Sequence, residues 1–481
     1  MDPKIERLSC LAKELAGWPV FGLAASLGPA EGVFLVGGAL RDALTGRRTE
    51  GPLEVDLAVA GPALSLGREL AQLAKGKAVV LSQADEAIRL ILPGLTIDLV
   101  GLRRPEITGD LTARDFTINA LALKLADLLA GRPALIDPLG GLDDLAAGRL
   151  RLAGPGVLFA DPLRVLRGYR LVAELGLDPP PATRQALRVA APGLGRVAGE
   201  RINQELSRLL AAPHSASAMI LMAVDRVLYQ FCPEVAALSG LYQNRYHHLN
   251  GLDHTLAALA EAEALIEQKQ PGWPGQEEAM ADPRRRLALK LALLFHDAGK
   301  ATALRAKTDG TLAFPNHAKI SARLWRRAAV RLRFSRLLTR QVSSLIEAHM
   351  RPLSLILAPQ CTPRAIRRLA LAGGERLIDL GLLCLADCRA AKGPATDPRA
   401  EQRLIELWGE CLAVQTELVR HKVRPIIDGH ELMAALGLRP GPVVGQLLAE
   451  IAEARLAGRL QDKKGAIALA RQELARLEGR G

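Results

Sequence analysis

The chain has 481 residues, 49% of them hydrophobic and only 3% aromatic, and its Lys plus Arg exceed Asp plus Glu by 63 − 51 = 12. That length exceeds what one core sustains and calls for several domains. The basic surplus, with a pI near 9.7, points to a polyanionic partner, and the scarcity of aromatics argues against extensive base stacking. No apolar run approaches the ~18 residues of a membrane span, and the opening "MDPKIERLSC" lacks an apolar signal core. The expectation is a soluble, cytoplasmic protein with no membrane partner. Of six cysteines only Cys384 and Cys388 are close, at the spacing of a helical turn rather than of a zinc knuckle.

Residues 1–30 read as a helix and a connecting segment. From 31 to about 125, short apolar runs ("VFLVGG", "LEVDLAVAG", "KAVVLS", "AIRLILPG", "LTIDLVG") alternate with helical stretches, an α/β pattern. Beyond about 140 the strand signals vanish and apolar residues recur at three and four, so the remainder reads as helical. "LDPPPATR" (177–184) is a turn into a helix, and "EQKQPGWPGQEEAMADPRRR" (267–286) reads as a polar, mobile insertion.

Two places in the α/β part carry chemistry. In "FLVGGALRD" (34–42) an apolar strand stops at Gly37 and Gly38, and in "EVDLAVAG" Glu54 and Asp56 lie two apart, on one side of a strand. Asp98, in "LTIDLVG", sits near the end of another strand and could join them. Three carboxylates at strand ends suit octahedral Mg²⁺, which takes a few carboxylates plus phosphate oxygens. The glycines would admit a triphosphate to the backbone N–H groups, with Arg41 as a counter-charge.

Further motifs follow in order: "ARDFTINALAL" (113–123), "LIDPLGGLDDLAAGRLRL" (135–152), "FADPLRVLRGYRLVAELGL" (159–177) and "GERINQELSRLL" (199–210). Together with the glycine and carboxylate motifs, these resemble the class II CCA-adding tRNA nucleotidyltransferases and bacterial poly(A) polymerases, whose catalytic head is related to DNA polymerase beta. The resemblance implies that Gly37, Gly38 and Arg41 hold the triphosphate and that Glu54 and Asp56 bind metal; Asp98, from its strand position, is the expected third catalytic carboxylate, positioning or deprotonating the attacking hydroxyl. It implies that Arg114 and Asp115 contact the ribose and phosphates, and Asn119 and Arg167 join this nucleotide-binding set. Asp161 and Arg164 match the pair that reads the base edge of CTP and ATP; their spacing would put both on one helical face. Glu200, Arg201 and Glu205 match a helical motif supporting head and neck. The sequence departs from the family at Glu54 (Asp there), Ala113 (Arg) and Ala160 (acidic).

A second set lies downstream: His254 in "YHHLNGLDHTLAAL", His296 and Asp297 in "LALLFHDAGK", His317 in "FPNHAKISARL", His349 in "IEAHMRP" and Asp387 in "LCLADCRAA". Imidazoles with carboxylates bind transition metals such as Mn, Fe, Co, Ni or Zn and leave positions open for water and phosphate. The pattern resembles the HD superfamily of phosphohydrolases, with His254, His296, Asp297 and Asp387 as its four ligands and His317 and His349 as the histidines of members binding further metal.

The expected architecture is a DNA polymerase beta-like nucleotidyltransferase head of α/β class (1–135), an all-α neck selecting the nucleotide (136–235), an HD domain (236–400) and a helical tail contacting tRNA (401–481). The implied activity is addition of C, A or both to the tRNA 3′ end from CTP and ATP, with Mg²⁺ at the head. Two other readings remain open: a poly(A) polymerase, and an HD phosphohydrolase with a degenerate RNA-binding head. Only fifteen residues, 99–113, separate Asp98 from Arg114. Relatives completing CCA carry a longer, flexible loop there, so the short segment raises the expectation of an enzyme that adds only C residues.

Overall fold

The computed structural model describes residues 3–478 except 30–31, 48–51, 244–245, 247, 269, 271–272, 359, 421–425, 457–458 and 461. The described chain falls into two compact units, Met1–Pro233 and Glu234–Gly481.

The first unit is built on a seven-stranded sheet: β1 (Val33–Val36), β2 (Leu53–Val59), β3 (Lys77–Ser82), β4 (Ala87–Leu92), β5 (Leu95–Gly101), β6 (Ala122–Lys124) and β7 (Leu135–Ile136), ordered β3-β4-β5-β2-β1-β6-β7. Only β2 and β5 run parallel; every other pairing is antiparallel. Alternation along β2 explains what the two faces do. Val55, Leu57 and Val59 enter a core with Leu8, Leu15, Phe21, Leu66 and Leu70 from α1 (Pro3–Ala16), α2 (Pro19–Leu27) and α4 (Ala63–Leu73). Glu54 and Asp56 point to the opposite face, where solvent reaches them. The segment before β1 is thus two helices rather than one helix and a connection, because Pro19 at a first-turn position restarts the helix after Gly17 and Trp18.

Past β7 this unit is helical. The Leu163–Leu175 and Gly199–Ala211 helices bury Leu166, Tyr169, Leu171, Ile202, Leu206 and Leu209, and Pro181 opens the helix expected after "LDPPP". No break in compactness separates head from neck within Met1–Pro233.

The second unit packs the Gly251–Glu267, Pro283–Phe295, His317–Arg331, Arg336–Ala348 and Leu377–Ala390 helices around a cluster of buried histidines. Leu377–Ala390 is apolar on nearly all sides, as a central helix must be. A two-stranded hairpin (Arg305–Ala306 with Leu312–Ala313) is the one strand pairing this unit shows among the described residues, a departure from the all-helical expectation. Within 267–286 the expected mobile insertion is instead ordered where it is described; 269 and 271–272 lie outside the described residues. Trp273 is buried beside Trp408, ring centroids 6.2 Å apart. The Gln276 amide donates to Leu265 O (2.8 Å) and Gln268 O (3.0 Å), which fixes the Gln276–Ala281 helix. Beyond Ala400–Arg420, three helices (Gly429–Leu436, Pro442–Leu456, Lys463–Glu478) form a separate small core around Ile427, Leu432, Leu447, Ile451 and Ala470.

Candidate active sites and metal centre

On the open face of the sheet, Asp56 of β2 stands directly opposite Asp98 of β5 in the parallel register. The residues between β1 and α3 (Gly37–Thr45) close one side. Gly37 has φ +75°, and a Cβ there would come 2.4 Å from Asp56 Oδ2, so only glycine lets α3 start against this carboxylate. The Gly38 N–H donates to Asp56. Solvent reaches Asp56, yet protein crowds its flanks. That enclosure, and then the Asp98 charge, raise its pKa, with Arg114, Gly38 N–H and Arg167 pulling the other way. A carboxylate so placed is stabilised in its charged form by a cation.

Asp98 is itself gripped: Arg89 Nε and Nη2 donate to its two oxygens, both at 2.7 Å, from the neighbouring strand β4. Glu54, exposed on β2, pairs with Arg208 Nη2 of the Gly199–Ala211 helix at 3.2 Å. Glu54, Asp56 and Asp98 therefore share one face, as the sequence implied, and Arg89 and Arg208 are functional candidates that sequence reasoning missed.

The nucleotide-binding candidates divide. Arg114 remains beside the carboxylates: Nη2 meets Asp110 at 3.3 Å, but its buried Nε has no hydrogen-bond partner among the described residues. Arg41 is buried rather than turned to solvent, with Nη1 on Asn119 Oδ1 (2.8 Å) and Nε on Asp42 (2.9 Å), so its donors serve the fold first. Asn119 Nδ2 donates to Asp115 (3.1 Å), and Asp115 accepts from Arg167 Nη1 (3.0 Å). Arg167 Nε and Arg170 Nε donate to the two oxygens of Glu205 at 3.3 and 2.7 Å. An unbroken polar chain thus runs from Asp42 through Arg41, Asn119, Asp115 and Arg167 to Glu205. It holds the sheet to the helices, which is why no break appears between them. Burial alone would raise the Asp115 pKa. The Arg167 charge and the bonds from Asn119, Arg167 and Phe116 N–H overcome it and hold the carboxyl at about 2.

The Asp161–Arg164 pair needs a correction. Asp161 is not on a helical face with Arg164; it is the extended residue (φ −144°, ψ 99°) between the Val157–Ala160 turn and the Leu163–Leu175 helix. Pro162 separates it from the helix, and its Oδ1 accepts from Leu163 N (3.2 Å). Arg164 Nη1 is tied to Ala113 O (3.1 Å) and Val157 O (3.2 Å), and Asp161 pairs with Arg201 at 2.9 Å. Arg201 and Glu205, one turn apart, reach in different directions, Arg201 to Asp161 and Glu205 to Arg167 and Arg170.

In the second unit, five of the six expected ligands sit at helix ends. His254 lies in the first turn of Gly251–Glu267, His296 and His349 follow the last residues of their helices, His317 opens one, and Asp387 is in the last turn of another. His296, His317 and His349 each put Nδ1 on the carbonyl three residues back, Leu293 (2.7 Å), Phe314 (3.0 Å) and Ile346 (2.6 Å). A ring whose Nδ1–H is so engaged presents the Nε2 lone pair, and these Nε2 atoms converge. Asp387 Oδ1 stands 2.9 Å from His254 Nε2 and 3.4 Å from His296 Nε2, while Asp297 Oδ2 lies 3.2 Å from His296 Nε2. Asp297 Oδ1 lies 3.4 Å from His317 Nε2, which is 3.4 Å from His349 Nε2. Two trios capable of holding a cation, His254–His296–Asp297 and Asp297–His317–His349, share Asp297. Gly299 allows the approach, since a Cβ there would strike His317 O at 2.5 Å.

Burial opposes charge on His296, yet Asp297 and Asp387 raise its pKa to about 10, whereas burial and then the His296 and His317 charges push His349 down to about 4. His296 Nε2 has no hydrogen-bond partner among the described residues, and neither has Asp297 Oδ2, although Lys300 Nζ stands 2.6 Å from it without bonding geometry. Buried, rich in imidazole and paired with carboxylates, the donors fit transition metals. Lys300 was missed as a partner; its position in "HDAGK", three residues after Asp297, was the available signal.

Comparison with known proteins decides the family. Models of the "Poly A polymerase head domain", the "Probable RNA and SrmB- binding site of polymerase A" and the "HD domain" match residues 33–151, 176–238 and 251–392. An A-adding tRNA nucleotidyltransferase of Deinococcus radiodurans is 34% identical over 435 residues, 89% of this chain and 92% of its own. The chain belongs to the CCA-adding tRNA nucleotidyltransferase and poly(A) polymerase family, with an HD domain. A CC-adding tRNA nucleotidyltransferase of Thermus thermophilus is equally similar, at 34% over 441 residues, covering 90% of this chain and 92% of its own. Among solved structures, a CCA-adding enzyme with ATP superposes with a TM-score of 0.63 at 21% identity, covering 98% and 99% of the two chains. The chain is thus a nucleotidyltransferase of this family, and both its catalytic folds have divalent-metal chemistry as their general mode. No described helix is long and apolar enough to cross a membrane.

Proposed function

We propose that the enzyme adds cytidylate to the 3′ end of tRNA from CTP, stops before the terminal A, and carries a separate phosphoester-hydrolysing centre in its HD domain. The observation that carries the head's part is the register of Asp56 against Asp98 on the face where Gly37 abuts Asp56. Glu54 and Asp56 would hold Mg²⁺, which when bound lowers the barrier to hydroxyl attack and neutralises the departing pyrophosphate. Asp98, fixed by Arg89, orients the attacking hydroxyl beside Asp56. Gly37 and Gly38 leave room for phosphates against the backbone, with the Arg114 charge close to the carboxylates that would hold the metal. Asp161 and Arg164 present an acceptor and a donor fork to the base edge, so protein rather than a template selects the nucleotide.

Support for stopping after C comes from the segment between Asp98 and Arg114. It is short and pinned: Leu102 N donates to Val59 O (2.9 Å), Arg103 N to Asp110 Oδ1 (3.1 Å), and Asp110 also holds Arg114 (3.3 Å). A pinned tether offers little leverage to re-aim Arg164 from cytosine to adenine. The experiment is product length on tRNA lacking its 3′ CCA, with CTP and ATP together. A product halted after two C residues is expected. A completed CCA overturns the restriction, and addition only to tRNA already ending in CC assigns the enzyme to A addition.

In the HD domain, the two trios sharing Asp297 would hold transition-metal ions, which when bound activate water for attack on a phosphoester. Asp387 and the Nδ1-anchored histidines keep the donors aimed inward, and Lys300 compensates Asp297.

A further inference from the structure

We propose that Arg208 is a phosphate-binding residue of the head, held in reserve by Glu54 until a nucleoside triphosphate arrives; this rests on the nucleotidyltransferase reading above. Arg201 and Arg208 lie seven residues apart on the Gly199–Ala211 helix, so they project from one face, separated by about 10 Å along its axis. Each pairs with an acidic residue of the candidate site: Arg201 with Asp161 at the base-reading end, Arg208 with Glu54 at the metal end. Glu205, between them, turns inward to Arg167 and Arg170 and locks the helix in place. One helix face thus lays a cation at each end of the stretch a nucleotide must occupy, from base to phosphates.

The Arg208–Glu54 contact is built to be exchanged. Its side chains are 57% and 68% exposed and meet through one oxygen at 3.2 Å. Such exposed pairs contribute little to stability. With Glu54 drawn to a divalent cation, Arg208 would lose its carboxylate partner, and the polyphosphate brought in with that cation would offer its guanidinium a new one. A guanidinium fork on phosphate oxygens is a stronger, charge-assisted contact than the one given up. The two methylenes of Glu54 let its carboxylate reach Arg208 when no nucleotide is bound.

The test is equilibrium binding of CTP and of CMP to the full-length protein with Mg²⁺ and no RNA, for wild type, Arg208→Ala and Arg208→Lys. Arg208→Ala is expected to weaken CTP about tenfold, to leave CMP unchanged because CMP lacks the outer phosphates, and Arg208→Lys to restore part of the loss. Equal weakening of CTP and CMP would show a helix brace, and unchanged CTP would remove Arg208 from the site; either overturns the proposal. Weakened tRNA binding with CTP binding intact would assign the cation to the RNA backbone and also overturn it. Because CTP binding is read without RNA, failure of tRNA extension would sink the functional reading without touching this result.

Discussion

The two candidate sites of this chain arrange their donor groups in opposite ways. The head displays carboxylates on one open face of a sheet, where strand alternation and register aim them and solvent reaches Glu54 and Asp56. The HD domain buries imidazoles at helix ends, those of His296, His317 and His349 turned by the carbonyl three residues back, with His254, His296 and Asp297 almost fully enclosed. An open carboxylate site suits a hydrated ion that arrives and leaves with its nucleotide; an enclosed imidazole site suits an ion that stays. The difference follows from the local fold: a strand can present charge to solvent at every second residue, whereas converging helix termini can orient rings only inside a core.

That contrast can be broken at several points. The largest effect is expected at Asp56. Asp56→Ala should cut nucleotide addition by roughly 10³-fold or more, with the metal bound in the HD domain unchanged by elemental analysis. Retained addition would mean the metal site lies elsewhere.

His296→Ala combined with Asp297→Ala should empty the HD centre of transition metal and abolish any phosphoester hydrolysis, while addition stays within about twofold, since the two ligand sets share no residue. Unchanged metal content would make these residues structural.

A smaller effect is expected where the head is tied to the helices. Asp115 has a carboxyl held at about 2, below the usual aspartate value. A depressed carboxyl stabilises the fold above its unfolded pKa near 4, and that stability fades as pH falls toward 2. Asp115→Asn should therefore cost about 2 kcal/mol at neutral pH and flatten the acid limb of stability between about pH 4 and 2. An unaltered acid limb in urea unfolding at several pH values would show that Asp115 contributes nothing through its charge.

Glu54→Asp should change addition least, by less than about threefold, because the carboxylate remains and only an exposed ion pair is lost. A collapse of activity would show that the longer side chain is required for the metal site itself.

Much of this was legible in the sequence because it is local. Alternation set Glu54 and Asp56 on one face, the glycine pair marked the start of α3, and the HD dipeptide stood at the end of an apolar helix. What escaped was long-range or hinged on one residue. Arg208 meets Glu54 across 154 positions, and Arg167 meets Asp115 across 52; neither pairing leaves a period in the chain. The bond from Arg41 to Asn119, 78 residues on, likewise left no trace in the glycine motif that carries Arg41. Asp161 was misplaced by helical spacing because the helix begins only at Leu163, with Pro162 between, and leaves Asp161 extended. The 267–286 segment read as mobile from its Pro and Gly content, but Trp273 and the Gln276 amide find partners that composition does not reveal.

The most direct test of the two-centre account is to dialyse the wild-type protein against a chelator-free, metal-free buffer and then measure bound metal and CTP incorporation into tRNA on the same sample. The account predicts that transition metal remains with the protein, that incorporation is absent, and that Mg²⁺ alone restores it. Incorporation that persists without Mg²⁺, or returns only when a transition metal is added, would contradict the separation of an open, exchanging head site from an enclosed HD centre.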